Sequence, residues 1–250
     1  MVTSEKVKDF YDGFSKNILR NEFYNYSLRQ DAIKKLCRKY IPHNARILEM
    51  GCGVGIITKF VQKNAEFVLA VDISSTNVGV AQIYADSENT KFDVIDITKE
   101  TDKIKSFGKF DVILIFDVIE HIEKSNYKQL FSILEELLTD SGIILLTYPS
   151  AEYQKHLKNH NPQALQVIDQ EVYLTDILNS ITRLFPYYYS YKHIWDKDQY
   201  IHLVLKSNVN YPVKYNRGLW DSISYRLKKY TWRYSNTSVK KRINEFLSKK

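Results

Sequence analysis

The chain has little cysteine and no long apolar run. Only two cysteines, Cys37 and Cys52, occur among its 250 residues, and they form no metal-binding spacing. The longest apolar runs, such as VILIF at 112–116, have the length of a strand and are too short to span a membrane. The first residues carry acids and no apolar segment of the kind found in a secretory signal. These absences favour a reducing compartment, and we expect a cytoplasmic location.

Glycine is also scarce, yet three of the eight glycines fall within five residues of the segment ILEMGCGVGIITKF, residues 47–60. A phosphate-binding loop ends in a glycine, a lysine and then a serine or threonine, and no such sequence follows the glycines here. Ile56 stands where the dinucleotide-binding fingerprint GxGxxG needs its third glycine. The spacing GxGxG therefore excludes both of these phosphate-binding motifs, while the bare backbone still indicates a ligand that approaches closely.

Positive charge is concentrated at one end of the chain. The formal net charge is +7, but residues 206–250 hold twelve Lys and Arg against two acids, Asp221 and Glu245. The remainder of the chain is therefore mildly acidic. An electrostatic partner is expected to bind the tail and not the body.

Apolar strand patterns alternate with helical ones through the middle of the chain, which predicts an α/β fold with a mostly parallel, doubly wound sheet. We expect a Rossmann-like sheet of seven strands closed by a C-terminal antiparallel hairpin, YYYSYKHIW followed by QYIHLVLKS. The predicted organisation is a helical cap over 1–41, an α/β domain over 42–206 and a basic tail over 207–250. No internal repeat or low-complexity segment is visible.

Several element boundaries follow from the same patterns. A helix is expected directly after the glycine loop, over 55–65, and a fifth strand is expected to begin after Gly142. Residues 150–170 are polar and show no clear period, so the pattern predicts a loop there. A further helix is expected over 173–185.

Two acids at the ends of predicted strands narrow the choice of ligand. Glu49 precedes the glycine loop, where a negative charge disfavours a pyrophosphate and suits an ammonium or sulfonium group. Asp72 ends the second predicted strand, where a carboxylate can accept hydrogen bonds from both hydroxyls of a ribose. A cationic ligand that carries a ribose and no phosphate is S-adenosylmethionine.

The segments ILEMGCGVGIIT, AVDIS, DVIDIT and FDVILIFDVIEHI together resemble the class I S-adenosylmethionine-dependent methyltransferases over about 42–148. The resemblance implies S-adenosylmethionine as cofactor and a role for residues at several strand ends. Gly51 and Gly53 are expected to approach the methionine part of the cofactor, and Glu49 its ammonium group. Asp72 is expected to hold the ribose, and Asp96 the adenine amino group. The other implied contacts are Cys52 and Gly55 of the loop, Ile73 and Ile97 on the two faces of the adenine, and Asp117 beside the reacting centre.

The segment DVIEHI, residues 117–122, carries the densest set of reactive side chains. An acceptor hydroxyl must lose a proton when it is methylated, and a neutral imidazole can take that proton. His121 is therefore the first candidate for the general base, oriented by Glu120 or Asp117. The alternative is a metal site made of Asp117, Glu120 and His121 with a histidine of the following loop, His160 or His156.

The sequence identifies the methyl acceptor less clearly than the methyl donor. His160 and Asp169 are candidate contacts in the loop after the fifth strand, and Arg29 and tyrosines of the cap can cover the donor. The best interpretation is methylation of an oxygen, with a sugar hydroxyl of a cell-surface polysaccharide or its lipid-linked precursor as acceptor. The alternatives are a small-molecule enzyme for a phenol, quinone precursor or amine, and an RNA-modifying or RNA-binding protein.

The tail combines aromatic and basic residues at helical spacing. Trp220, Ile223, Leu227, Tyr230 and Tyr234 recur every three or four residues, with Arg and Lys between them. Such a stretch suits peripheral contact with an anionic membrane, and equally RNA binding or packing on the protein itself. Sedimentation with anionic liposomes distinguishes these: equal binding with and without residues 207–250 would exclude the membrane interpretation. The oligomeric state stays undetermined.

Overall fold

A computed structural model describes residues 27–165, 169–193 and 198–207. Residues 1–26 of the predicted cap, with Tyr11, Tyr24 and Tyr26, and the tail from residue 208 onward lie outside the described residues. Within the described part, no helix is long and apolar enough to cross a membrane.

A seven-stranded sheet organises the chain, in the order β3-β2-β1-β4-β5-β7-β6. Strands β1 to β5 are parallel, and β7 pairs antiparallel with both β5 and β6. This confirms the predicted Rossmann-like sheet and its closing hairpin. The strands are β1 (Ala45–Met50), β2 (Ala65–Asp72), β3 (Thr90–Val94), β4 (Phe110–Phe116), β5 (Leu138–Pro149), β6 (Phe185–His193) and β7 (Asp198–Lys206).

Helices cover both faces of the sheet because the central strands are buried on both sides. On one face, helix α1 (Leu28–Tyr40) and the short helix after the glycine loop contribute Ile33, Leu36 and Val61 to the core. On the other face, helix α5 (Tyr127–Leu137) contributes Phe131 and Leu134. The helices are α1 (Leu28–Tyr40), α2 (Thr58–Val61), α3 (Ser75–Tyr84), α4 (Thr101–Lys105), α5 (Tyr127–Leu137), α6 (Ala151–His160) and α7 (Leu174–Leu178), with 3-10 turns at Gln62–Asn64, Ile119–His121, Lys124–Asn126 and Pro162–Ala164.

Two boundaries near the centre differ from the sequence prediction. The helix expected over 55–65 is confined to α2 and the 3-10 turn that follows it, because 51–57 form a chain of tight turns. Strand β5 begins at Leu138, four residues before Gly142, because Leu138 pairs with Phe110 across a register shift in β4. Burial of Leu138 in the core favours this early pairing.

The prediction of a loop over 150–170 was wrong, because 151–160 form helix α6. Ser150 caps this helix by accepting a hydrogen bond from the Tyr153 backbone N–H at 3.1 Å. Its only buried residues are Ala151 and Gln154. Since one of these is small and the other polar, the helix leaves no apolar period in the sequence.

The helix expected over 173–185 is limited to α7. The reason is Glu135 of α5, whose buried carboxylate accepts hydrogen bonds from the backbone N–H groups of residues 182, 183 and 184 at 2.7 to 3.3 Å. These three donors hold the segment before β6 in an extended turn, where a helix cannot continue.

Candidate active site

The candidate site lies at the carboxyl ends of β1, β2 and β4. The sheet order reverses between β1 and β4, since β1 leads to β2 on one side and β4 to β5 on the other. This is the switch point at which open α/β sheets bind their ligands. Glu49, Asp72 and Asp117, which the sequence singled out, all lie at this edge.

The glycine loop turns sharply immediately after β1. Gly51 has a φ of 73° and Gly53 a φ of 51°, a region that side chains rarely adopt. A Cβ placed on Gly51 would overlap the Cγ2 methyl of Val118, whereas one on Gly53 would meet no atom within 4 Å. Gly51 is therefore required by close packing, and Gly53 leaves its backbone open to a ligand.

Asp72 is tied to the glycine loop by hydrogen bonds. Its Oδ2 accepts from the Gly53 backbone N–H at 2.8 Å. Its Oδ1 accepts from the Ser74 backbone N–H at 2.9 Å and from the Asn77 amide at 3.3 Å. These bonds from the Gly53 and Ser74 backbone and from Asn77 join the end of β2 to the glycine loop and to the start of α3.

Glu49 is buried at the end of β1 and accepts a hydrogen bond from the Thr58 hydroxyl at 2.6 Å. Burial raises the pKa of Glu49 to about 8, and the Asp72 carboxylate adds to the rise, while the Thr58 hydroxyl opposes it. At neutral pH the side chain is therefore mostly protonated in the absence of a ligand. This weakens the sequence argument that its charge repels a pyrophosphate, and it favours a cationic ligand that draws off the proton.

The other residues predicted to contact the methyl donor lie in the glycine loop and directly after β2 and β3. Cys52 is buried, and burial raises the pKa of its thiol well above the ordinary value. Gly55 donates its N–H to the Cys52 carbonyl at 3.0 Å. Ile97 is partly buried against the core, and Ile73 is half-buried after β2. Asp96 accepts from the Thr98 N–H and hydroxyl, at 3.0 and 2.6 Å, and so shapes the turn after β3.

Asp117 ends β4 with a φ of 55°, which asparagine and aspartate tolerate better than other side chains. Its Oδ2 forms an ion pair with the Arg29 guanidinium of α1, and its Oδ1 accepts from the Thr147 hydroxyl at 2.9 Å. Arg29 also lies over the Tyr200 ring at 5.8 Å. Arg29 thus links the start of α1 to the turn after β4 at the switch point, and its role in covering the methyl donor stays a prediction.

His121 lies in the 3-10 turn after β4, between two acids. Its Nδ1 is 3.4 Å from Oδ1 of Asp169, and its Nε2 is 3.8 Å from Oε1 of Glu120. Burial raises the pKa of Glu120 well above its ordinary value, and Asp117 raises it further. Burial therefore favours the neutral form of Glu120. Glu120 and His121 are neighbours, as predicted, but of the two carboxylates recorded beside the imidazole within the described residues, that of Asp169 is the closer.

The comparisons with known proteins agree with this geometry. The family model described as "Methyltransferase domain" matches residues 20–187, two thirds of the chain. The chain belongs to this methyltransferase family. The class I S-adenosylmethionine-dependent resemblance seen in the sequence is thereby confirmed.

Curated relatives match parts of the methyltransferase sequence. The ubiquinone biosynthesis O-methyltransferase of Bartonella tribocorum is 36% identical over 84 residues, 33% of each chain. The methyltransferase spans about half, or less, of the length of the curated relatives it matches.

Solved structures share the fold at low identity. The magnesium protoporphyrin IX methyltransferase of Synechocystis, solved with S-adenosylhomocysteine, has a TM-score of 0.63 and 17% identity, covering 82% of this chain and 100% of that one. The N-methyltransferase of Bradyrhizobium japonicum, also with S-adenosylhomocysteine, has a TM-score of 0.62 and 12% identity, covering 79% and 98%. For the family, the predicted cofactor S-adenosylmethionine is confirmed.

The candidate metal ligands are not assembled into one site. Among residues 27–165, 169–193 and 198–207, no three histidine, cysteine or acidic side chains lie together in a way that could hold a metal ion. His160 is exposed at the end of α6, where its Nδ1 lies 3.0 Å from the His156 carbonyl and its ring stacks on that of His156. The residues present therefore do not fit the predicted metal set.

The sequence prediction omitted one residue of the site, Gln154, and did not connect another, Asp169, with His121. Gln154 is buried and donates its amide to Asp169 at 3.4 Å. Asp169 had been assigned only as an acceptor contact, with no link to His121. Neither residue belongs to a motif, and only the tertiary structure brings them beside the 3-10 turn. A signal that could have pointed to Gln154 is its position one turn after the helix-capping Ser150.

Proposed function

We propose that this methyltransferase binds S-adenosylmethionine at the glycine loop and transfers the methyl group to an oxygen atom of the acceptor. The observation that carries the proposal is the cluster of Glu49, Gly53 and Asp72 at the switch point of the sheet, linked by the Gly53–Asp72 hydrogen bond. The bare backbone at Gly53 and the two acids match a ligand with a ribose and a cationic amino acid part.

In this proposal each strand end contributes one part of the donor site. Asp72, at the carboxyl end of β2, accepts hydrogen bonds from the ribose hydroxyls. Glu49 lies near the ammonium group. Gly51, Cys52, Gly53 and Gly55 form the loop over the methionine part, with Ile73, Asp96 and Ile97 at the adenine and Asp117 beside the reacting centre.

His121 acts as the general base in the proposed reaction. The cofactor supplies a methyl group on a sulfonium, whose carbon–sulfur bond breaks as the carbon–oxygen bond forms. The acceptor hydroxyl loses its proton in this step, and the neutral His121 imidazole receives it. Burial raises the pKa of Glu120 and so favours its neutral form, and we therefore assign the proton transfer to His121 and not to Glu120.

For the acceptor we propose a molecule with several hydroxyl groups, such as a sugar of a polysaccharide precursor. Within the part of the chain that the structure describes, Gln154 Oε1 is buried and has no hydrogen-bond partner. Such an atom is costly unless a ligand donates to it. The similarity to ubiquinone biosynthesis O-methyltransferases supports an oxygen acceptor and makes a phenol the second candidate. The enzyme is given S-adenosylmethionine with an isotope-labelled methyl group, together with either a set of sugars or a set of phenols. The set that receives the label decides between the two candidates.

The donor site is tested by Asp72→Ala. We expect the affinity for S-adenosylmethionine to fall more than tenfold, measured by calorimetry, because the ribose loses its acceptor and the loop loses its tie. The matched control is Asp86→Ala, the same change at an exposed position after α3, which should leave the affinity unchanged. An unaltered dissociation constant in the Asp72 variant would refute the assignment.

A further inference from the structure

The imidazole of His121 is held by a segment far from it in sequence. Residues 169 and 170 lie about fifty positions after the 3-10 turn, yet Gln170 bonds that turn twice. Its backbone N–H donates to the Glu120 carbonyl at 3.0 Å, and its side-chain amide donates to the Ile122 carbonyl at 2.6 Å. These two bonds bracket His121, so the position of Asp169 relative to the imidazole is set by the backbone.

Asp169 is oriented from its other side by helix α6. The Gln154 amide donates to Asp169 Oδ1 at 3.4 Å, on the same oxygen that lies 3.4 Å from His121 Nδ1. The start of α6 is itself fixed to β7, since the Ser150 N–H donates to the Gln199 carbonyl at 2.7 Å. Three separated parts of the chain therefore converge on one carboxylate.

The two acids beside His121 are not equivalent. Glu120 is almost completely buried, and burial favours its neutral form. The Glu120 Oε1 to His121 Nε2 distance of 3.8 Å is also too long for a hydrogen bond. Asp169 lies closer and faces Nδ1. An aspartate that accepts from Nδ1–H fixes the tautomer of an imidazole and stabilises the imidazolium that forms after proton transfer.

We propose that Asp169 is a positioning residue that accepts a hydrogen bond from His121 Nδ1–H, so that the lone pair on Nε2 receives the proton of the acceptor hydroxyl. This inference rests on the proposed function and deepens it. It replaces Glu120 and Asp117, the orienting residues that the sequence suggested. Gln154 supports Asp169 by fixing the oxygen that His121 meets.

The tautomer of His121 can be measured without knowing the acceptor. Long-range proton–nitrogen NMR on protein labelled with 15N-histidine, with S-adenosylhomocysteine present, distinguishes Nδ1–H from Nε2–H, and His121→Gln assigns the signal. The probe is the full chain at a pH where the imidazole is neutral. We expect the Nδ1–H form to predominate in the wild type.

Removal of the carboxylate should change that signature. In Asp169→Ala and in Asp169→Asn, we expect at least half of His121 to shift to the Nε2–H form, because Nδ1 loses its acceptor. The matched control is Glu171→Ala, which removes a carboxylate two residues along that pairs with Lys158, and the tautomer should not change. The isosteric Asn variant decides the result if the Ala variant does not fold.

A predominant Nε2–H form in the wild type, or an unchanged tautomer in both Asp169 variants, would overturn the proposal. The cofactor affinity is measured in the same samples and should stay within twofold of the wild type. A failure of Asp72→Ala to weaken cofactor binding would instead count against the donor site. The two outcomes are therefore distinguishable.

Discussion

The proposed donor half of the site (Glu49, Gly51 to Gly55 and Asp72) and the proposed acceptor half (Glu120, His121, Gln154 and Asp169) are built in different ways. The donor half lies within 24 consecutive residues and depends on backbone shape, since glycine φ angles and backbone N–H groups define it. The acceptor half spans 50 residues and depends on side chains brought together by the tertiary fold.

This difference has a physical origin. A sulfonium cofactor is the same for every acceptor, so its site can be encoded in one strand–loop–helix–strand unit at a switch point. The acceptor half must recognise one particular molecule, and its polar groups lie on segments that can vary without rebuilding the sheet. The two halves nevertheless touch, because Gly51 packs against Val118 at the start of the acceptor turn.

The contact between Gly51 and Val118 gives the largest expected effect. Gly51→Ala adds a methyl that overlaps Val118 and places a side chain at a φ of 73°. We expect the free energy of unfolding to fall by about 2–5 kcal/mol, from overpacking and backbone strain together, with loss of donor binding. Denaturant unfolding and calorimetry measure the two effects.

Two further variants separate the causes. Gly53→Ala meets no atom within 4 Å, so it should cost only the backbone strain, roughly 1–3 kcal/mol. Adding Val118→Ala to Gly51→Ala should recover part of the loss by removing the overlapping methyl. Strictly additive effects of the two substitutions would show that the halves are independent.

A smaller effect is expected from the protonation of Glu49. Because burial raises its pKa to about 8, binding a cationic ligand at neutral pH must release a proton. The affinity for S-adenosylmethionine should therefore rise with pH below 8, by at most about tenfold per unit. Calorimetry in buffers of different ionisation enthalpy counts the proton released.

The control for this prediction is Glu49→Gln, which retains the hydrogen bond from Thr58 but cannot ionise. Its pH profile should be flatter than that of the wild type. If the two profiles coincide, the ammonium of the cofactor does not lie near Glu49, and the donor half works by backbone shape alone.

The smallest effect is expected in the acceptor half. Gln170→Ala removes the side-chain bond to the Ile122 carbonyl but leaves the backbone bond to Glu120 in place. We expect a loss of about 1 kcal/mol in the free energy of unfolding and no change in donor affinity. A tenfold loss of affinity for S-adenosylmethionine would mean that the segment around Gln170 also shapes the glycine loop.

The sequence alone singled out the residues of the proposed donor half, because Glu49, the glycines and Asp72 carry their information locally. It also indicated the sheet and its hairpin, since buried strands are apolar throughout. It missed helix α6, whose buried side is formed by Ala151 and Gln154 and therefore has no apolar period. It linked His121 to Glu120 or Asp117 and not to Asp169, because no local pattern connects Asp169 to a turn about fifty residues earlier. Long-range pairing of this kind is fixed by hydrogen bonds such as those of Gln170.

Helix α6 has a consequence for how such an enzyme can change its acceptor. The helix is attached to the body through its Ser150 cap and the Ser150–Gln199 backbone bond, and not through a stripe of large apolar side chains. Gln154, one of the two buried residues of the helix, is a polar contact of Asp169 and not a large apolar anchor. In the proposed site, a substitution there alters the support of Asp169, while Asp72 and the glycine loop keep their own hydrogen bond.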